Sequence, residues 1–125
     1  MARQQFQLEY IIRSSPTILH NFLVSPNGLA QWFSDTCDVN EDEYSFGWEG
    51  FIEKATLLEN HEGELVRYQW VESDPKEYFE FKIQKSEVSN DTVLLVTDFA
   101  EDYDVEDQKL LWDNQIKMLI QQIGG

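Results

Sequence analysis

The sequence predicts an α+β fold in one domain that spans residues 1–125, with an antiparallel seven-stranded sheet, two short helices after the first strand and a long C-terminal helix. Three observations lead to this prediction. Residues 36–100 hold short alternating runs without helical periodicity, two Ser-Pro pairs before them mark helix starts, and the final segment carries one broad apolar stripe. A chain of 125 residues is the usual size for a single core.

The first strand is predicted in "RQQFQLEYIIR", because the even-numbered residues from Phe6 to Ile12 are apolar and the residues between them are mostly polar. Ser15 and Ser25 are each predicted to cap a helix whose first residue is proline. In the second of these helices, Leu29, Trp32 and Phe33 share one face of only two turns. A helix this short needs a larger surface to pack on.

Six further strands are predicted, each bounded by turn residues. They lie near residues 36–40, 43–48, 51–60, 64–72, 77–87 and 92–100. Three of them carry their large apolar residues on one side: Tyr44, Phe46 and Trp48; Val66, Tyr68 and Trp70; Phe79, Phe81 and Ile83. Strands 51–60 and 92–100 have apolar residues on both sides, so their orientation is not predicted.

The long C-terminal helix is predicted to start after Asp104, to carry Glu106 and Asp107 in its first turn and to end at Gly124. Its length is about 18 residues, and its apolar residues recur with the helical period. They are Trp112, Ile116, Leu119, Ile120 and Ile123. The aromatic side of the sheet is the only predicted surface large enough to receive this stripe.

Composition limits the function. The chain has 9 Lys and Arg against 24 Asp and Glu, a net charge of −15, and no basic segment. Because nucleic acids and anionic membranes are bound mainly through cationic side chains, we expect neither nucleic acid nor membrane as a partner. No signal-peptide pattern or membrane-spanning run is present, and Cys37 is the single cysteine, so we expect a cytoplasmic protein whose thiol is buried and unreactive.

The order of predicted elements, together with "SSP", "SPNGLAQWF" and a tryptophan on the last helix, resembles the START-like or helix-grip (SRPBCC) superfamily. Within it the chain is similar to bacterial relatives of the C-terminal domain of the heat-shock chaperone ATPase activator. The resemblance implies a curved sheet that wraps round the long helix, with an apolar cavity between them. It also implies that Trp32 and Phe33 plug or border the mouth of this cavity.

The residues predicted to line the cavity share large apolar side chains on the dry face of the sheet or on the facing helices. They are Trp32, Phe33, Phe46, Trp48, Tyr68, Trp70, Phe79, Phe81, Trp112 and Ile116. Apolar walls with few polar groups are typical of small-molecule sites. The alternative is a closed core, because aromatic residues at strand spacing usually pack against one another.

Other candidate sites have simpler explanations. His20 and His61 lack partners at metal-ligand spacing and are interpreted as polar surface residues, so no metal and no cofactor is predicted. The acids of "DYDVEDQKLLWD" resemble a calcium loop, but the sixth position is Asp107 where a glycine is needed, and helix capping explains them. No catalytic residue is assigned. Inward placement of Glu49, Glu53 or Arg67 would favour an enzyme.

Three functions follow from these patterns together with the resemblance, which alone implies the second and the third. The first is binding of an apolar or lipid-like small molecule in the cavity. The second is a regulatory or chaperone-activator-like interaction module, acting as a homodimer or with a chaperone, for which Leu94 and Val96 on the second side of their strand would form the interface. The third is an enzyme similar to polyketide cyclases, as the resemblance allows.

Overall fold

A computed structural model describes residues 2–124. The chain forms an open seven-stranded sheet, in the order β1-β7-β6-β5-β4-β3-β2, in which every neighbouring pair is antiparallel. The strands are β1 (Arg3–Ile12), β2 (Thr36–Asn40), β3 (Glu43–Trp48), β4 (Phe51–His61), β5 (Leu65–Trp70), β6 (Phe79–Lys85) and β7 (Thr92–Glu101). The helices are α1 (Pro16–Val24), α2 (Pro26–Trp32) and α3 (Val105–Ile123), and a 3₁₀ turn at Asp102–Asp104 precedes α3. The predicted fold class is confirmed.

The two short helices begin as the sequence predicts. The Ser15 hydroxyl accepts a hydrogen bond from Ile18 N, and the Ser25 hydroxyl accepts one from Gly28 N. Ser25 also ends α1, since its own N–H donates to the Asn21 carbonyl. One residue therefore closes one helix and opens the next, which produces the bend between them.

Gly28 is required where the two short helices touch. A β-carbon at this position would lie 2.7 Å from the Phe22 Cα atom and 2.8 Å from the Asn21 carbonyl oxygen. Glycine weakens α2 as an isolated helix, but here it allows α2 to approach the backbone of α1. Packing thus explains a residue that helix propensity alone disfavours.

The long helix has 19 residues and ends at Gly124, which adopts a left-handed conformation with φ of 90° and donates its N–H to the Ile120 and Gln121 carbonyls. Asp104 stands at the predicted N-cap position, but its side chain makes no capping hydrogen bond. The 3₁₀ turn before α3 places Asp104 in a helical conformation, away from the extended geometry that a capping side chain needs. The helix packs against α2, β1 and β7.

The strand pairing orients β7, one of the two strands whose orientation the sequence did not predict. In β7, Leu94 pairs with Tyr10 and Ile83, and Val96 pairs with Leu8 and Phe81. Partners directly opposite each other share a face, so Leu94 and Val96 point to the inner face, and both are fully buried. The hypothesis that Leu94 and Val96 form a partner interface is therefore wrong, because they belong to the core.

Arg67 lies on the outer face of the sheet among polar side chains. Its guanidinium donates to Glu80 with an Nε–Oε1 distance of 2.8 Å, lies 3.1 Å from Glu59 and stacks 4.3 Å from the centre of the Tyr78 ring. Glu80 is buried by this arrangement although it faces away from the core. Arg67 is thus paired on the side of the sheet opposite the helices.

Candidate functional site

The inner face of the sheet is densely packed beneath α1 and α2. The rings of Phe46, Tyr68, Phe79 and Phe81 are at most 1% exposed. Tyr68 and Phe79 stack with centroids 5.1 Å apart, and Phe79 meets Phe81 edge to face at 6.0 Å. This part of the inner face is a closed core.

Polar atoms of the aromatic side chains hold the end of α1. Trp32 Nε1 donates to the Phe22 carbonyl at 2.8 Å, the Tyr68 hydroxyl to Leu23 at 2.7 Å and the Tyr44 hydroxyl to Val24 at 2.7 Å. The last carbonyls of a helix have no partner within the helix. Here side chains from α2 and from two strands supply those partners, which fixes the helix pair on the sheet.

Phe33 stands where the closed core ends. Its ring lies 4.9 Å from Phe46 and 5.9 Å from Trp112, measured between centroids. Its carbonyl oxygen accepts two hydrogen bonds, from Trp48 Nε1 at 2.9 Å and from Gln115 Nε2 at 3.0 Å. One residue therefore links α2, β3 and α3.

Beyond Phe33 a cleft of about 570 Å³ opens between α3 and the sheet. Aromatic rings and carboxyl groups dominate its walls. The lining residues are Phe33, Trp48, Glu49, Phe51, Glu53, Trp70, Asp98, Gln108, Leu111, Trp112 and Gln115. The indole N–H of Trp32, Trp48 and Trp112 each has a partner, whereas that of Trp70 donates to no residue within 2–124.

The structure divides the ten residues predicted to line a cavity into two groups. Phe33, Trp48, Trp70 and Trp112 border the cleft. The other six are buried in the core and do not border it: Trp32, Phe46, Tyr68, Phe79, Phe81 and Ile116. Trp32 sits beside Phe33, with ring centroids 5.4 Å apart, so it supports the cleft wall from behind.

Two carboxyl groups face inward at the cleft. Glu53 on β4 pairs with Phe46 on β3, and Asp98 on β7 pairs with Phe6 on β1, so both lie on the inner face. Glu49 borders the same cleft from the turn between β3 and β4. Of the three charged residues whose inward placement would favour an enzyme, Glu49 and Glu53 line the cleft and Arg67 does not.

Asp98 is the functional candidate that the sequence did not reveal. Its carboxylate accepts hydrogen bonds from Trp112 Nε1 at 2.9 Å and from Phe99 N at 2.8 Å. Burial raises the pKa of Asp98, although these two hydrogen bonds act in the opposite direction. The group thus joins β7 to α3 at the wall of the cleft.

The alternating pattern held the signal for Asp98. Asp98 lies two residues after Val96, so any assignment of Val96 to the inner face also places Asp98 on that face. The apolar residues on both sides of this strand obscured that choice.

The remaining polar candidates lie elsewhere. The prediction that His20 is a surface residue is wrong, because His20 is only 6% exposed and its Nδ1 accepts a hydrogen bond from Gly63 N at 3.2 Å. Cys37 is half-buried on an edge strand, and burial, with a smaller effect from Asp38, raises the pKa of its thiol to about 11. Between residues 2 and 124, no group of three or more His, Cys, Asp or Glu side chains is arranged to hold a metal ion.

The structural comparisons agree on the fold. A Bacteroides fragilis protein solved by NMR in solution is 27% identical, with a TM-score of 0.68, over 98% of this chain and 92% of its own. The Aha1 dimer from Colwellia psychrerythraea is 16% identical, with a TM-score of 0.76, over 98% of this chain and 96% of its own. A Mesorhizobium loti protein is 16% identical, with a TM-score of 0.76, over 94% and 95%.

The sequence comparisons identify the family. No curated protein matches this chain. Across the described range 2–124, no helix has the length and apolar character needed to cross a membrane. The model of the START-like superfamily domain matches residues 1–125, so the chain belongs to the START-like superfamily.

Proposed function

We propose that the protein binds a small molecule with an apolar, ring-bearing or lipid-like body in the cleft between α3 and the sheet. The observation that carries this proposal is the cleft itself, whose volume of about 570 Å³ is bordered by Phe33, Trp48, Trp70 and Trp112. Binding sites for small molecules commonly occupy about 300–1,000 Å³ and are lined by aromatic residues with a few polar groups. The cleft has both properties.

Burial of apolar surface supplies the main driving force. A ligand that loses roughly 200 Å² of apolar area to the cleft gains about 5 kcal/mol at about 25 cal/mol per Å². This gain alone corresponds to a dissociation constant in the submillimolar range, before the costs of immobilising the ligand. Tight binding therefore requires the polar groups of the cleft as well as its rings.

Binding is proposed in preference to catalysis because of how the inward acids are held. Asp98 accepts hydrogen bonds on both carboxylate oxygens, from Trp112 and Phe99, which favours an anchoring role over proton transfer. Glu53 is exposed at the mouth and makes no hydrogen bond to another side chain of residues 2–124. An acid in such a position suits contact with a ligand from solvent.

The test is a titration with fatty acids, sterols and flavonoids, followed by tryptophan fluorescence and by thermal unfolding. Three of the four tryptophans border the cleft, so a bound ligand should change their emission. A ligand at about 100 times its dissociation constant should raise stability by about 2.7 kcal/mol and the melting temperature by several degrees. A panel that changes neither signal would contradict the proposal.

A matched pair of variants locates the site. Trp70→Ala removes a half-buried ring from the cleft and should weaken binding about tenfold or more. Tyr103→Ala removes an exposed ring that does not border the cleft and should leave affinity unchanged. Equal losses in the two variants would place the ligand elsewhere.

A second candidate is self-association, favoured by apolar residues around the tip of the β3–β4 hairpin. Phe51, Ile52 and Val71 are 77%, 59% and 55% exposed, and Ile52 and Val71 border one shallow groove. The similar Colwellia structure is described as a dimer.

Sedimentation equilibrium tests this candidate and should detect a dimer that Ile52→Asp dissociates. The control variant Val88→Asp, at a 99% exposed position in the β6–β7 loop, should leave the dimer intact. A monomer at all concentrations would contradict this candidate.

A further inference from the structure

The charged groups of the cleft all have the same sign. Glu49, Glu53 and Asp98 line it, and the lining residues within 2–124 include no lysine, arginine or histidine. Like charges in a cleft with apolar walls focus the electrostatic field and raise the local concentration of oppositely charged ligands. The net charge of −15 adds to this field.

Two cations that lie beside residues of the cleft, Arg3 and Lys54, are paired with other acids. Arg3 borders a smaller cavity of about 200 Å³ that shares Trp70 and Asp98 with the cleft. Its guanidinium donates to both carboxylate oxygens of Glu77, at 2.9 and 2.6 Å. Lys54 follows Glu53 in the chain but pairs with Ser45 on the outer face and lies 3.6 Å from Glu43. Both cations are thus paired with acids outside the cleft, although the charge of Arg3 also acts on Asp98 and lowers its pKa, an effect smaller than that of burial.

The rings supply a second attraction for positive charge. Trp48, Trp70 and Trp112 border the same space as Glu53 and Asp98. The face of a tryptophan attracts ammonium and guanidinium groups more strongly than the face of any other side chain, and the attraction grows where water is excluded. Aromatic faces combined with carboxylates are the chemistry that recognises an organic cation.

We infer that the preferred ligand is an organic cation, with an aromatic or alkyl body that fills the cleft and an ammonium or related group that contacts the rings and the carboxylate of Glu53. This inference rests on the proposed function and adds the charge of the ligand to it. An anionic ligand of the same shape would meet three carboxyl groups, of which the partly buried Asp98 is screened least by salt. The cleft therefore selects by charge as well as by apolar volume.

The experiment compares three naphthalene probes of nearly equal size by tryptophan fluorescence. The first is naphthylmethyl trimethylammonium, the second its uncharged isostere in which carbon replaces the quaternary nitrogen, and the third the anion naphthylacetate. We expect the cation to bind at least about tenfold more tightly than the isostere, and the anion more weakly than both. Added salt should weaken binding of the cation and leave the isostere unchanged.

Two substitutions that each remove one negative charge test whether the cation contacts the Glu53 carboxylate directly. Glu53→Gln removes a carboxylate at the cleft, and Glu9→Gln removes an exposed one on the outer face of β1. Glu53→Gln should weaken the cation roughly fivefold and leave the isostere unchanged, whereas Glu9→Gln should change neither. Thermal unfolding of both variants checks that they fold.

Each outcome separates the two proposals. Equal affinity for the cation and the isostere overturns the inference and leaves the proposed function standing. Equal effects of Glu53→Gln and Glu9→Gln also overturn it, because the general field of the protein would then account for the preference. If none of the probes binds and the apolar panel fails as well, the proposed function is contradicted and the inference with it.

Discussion

Phe46 and Trp48 lie two residues apart on the same face of β3, yet Phe46 is inaccessible to solvent and Trp48 borders a cleft. The sheet presents aromatic residues to its inner side along both regions. Phe33 at the end of α2 covers Phe46, with Trp32 packed beside Phe33, and beyond Phe33 only α3 stands opposite the sheet. The difference between core and site thus comes from the covering layer and not from the strand residues themselves.

The strongest test of this comparison replaces the sealed ring. Phe46→Ala should lower the free energy of unfolding by about 3–5 kcal/mol, because the buried ring is lost and a cavity remains. Urea denaturation measures this change. A loss below about 1.5 kcal/mol would mean that the region beneath α1 and α2 is as loosely packed as the cleft.

A hydroxyl deletion tests how the covering layer is held. In Tyr68→Phe the ring stays, but the Leu23 carbonyl at the buried end of α1 loses its partner. The expected loss is about 1–3 kcal/mol. Tyr103→Phe is the control, because Tyr103 is 65% exposed and its hydroxyl makes no hydrogen bond to a residue of the described chain. Equal unfolding midpoints for the two variants would contradict the role assigned to Tyr68.

The matching change in the open region should cost less stability. Trp70 lies 5.8 Å from Phe46 between ring centroids but is only half-buried. Trp70→Ala should therefore lower stability by about 1–2 kcal/mol, in proportion to the smaller area that the ring buries. A loss as large as that of Phe46→Ala in the same denaturation experiment would show that the two regions are equally closed.

The smallest effect concerns the pH dependence of stability at the cleft wall. Folding raises the pKa of Asp98, so the native state binds more protons than the unfolded chain between the two pKa values. The stability contributed by this difference is present at low pH and is lost as pH rises through the folded pKa. Asp98→Asn lacks the titration, so its stability relative to the parent protein should rise from about pH 3 to pH 7.

Parallel stability curves for the parent protein and Asp98→Asn would contradict the raised pKa. Glu9→Gln serves as the control for a general change of charge, because Glu9 is exposed on the outer face. Its curve should follow that of the parent protein.

Much of the architecture could be predicted from local patterns. The two Ser-Pro starts, the end of α3 at Gly124 and the strands 36–40 and 43–48 depend on residues next to one another in the chain, and the structure confirms them. The site was less predictable. Glu53 and Asp98 lie in strands with apolar residues on both faces, so only the pairing with neighbouring strands of the sheet decides which side they face.

Two further features depend on contacts that sequence periodicity does not contain. The pairing of β4 with β5 shifts register between Leu57 and Glu59. This bulge leaves Leu58 without a partner on β5, and its apolar side chain is exposed. The division of the predicted aromatic set into core and cleft depends on where α2 ends relative to β3. Side chains of the same type at the same spacing therefore took different roles.

The two hydrogen bonds accepted by the Phe33 carbonyl oxygen give the cleft one fixed side and one adjustable side. Trp48 and Gln115 both donate to this oxygen, the first from the sheet and the second from α3. If a bulky guest displaces the Gln115 side chain, that hydrogen bond breaks, while Trp112 and Asp113 keep α3 bonded to the sheet and the end of α2 keeps its partner on β3. The mouth can thus widen by a single, reversible exchange with water while the neighbouring core stays intact.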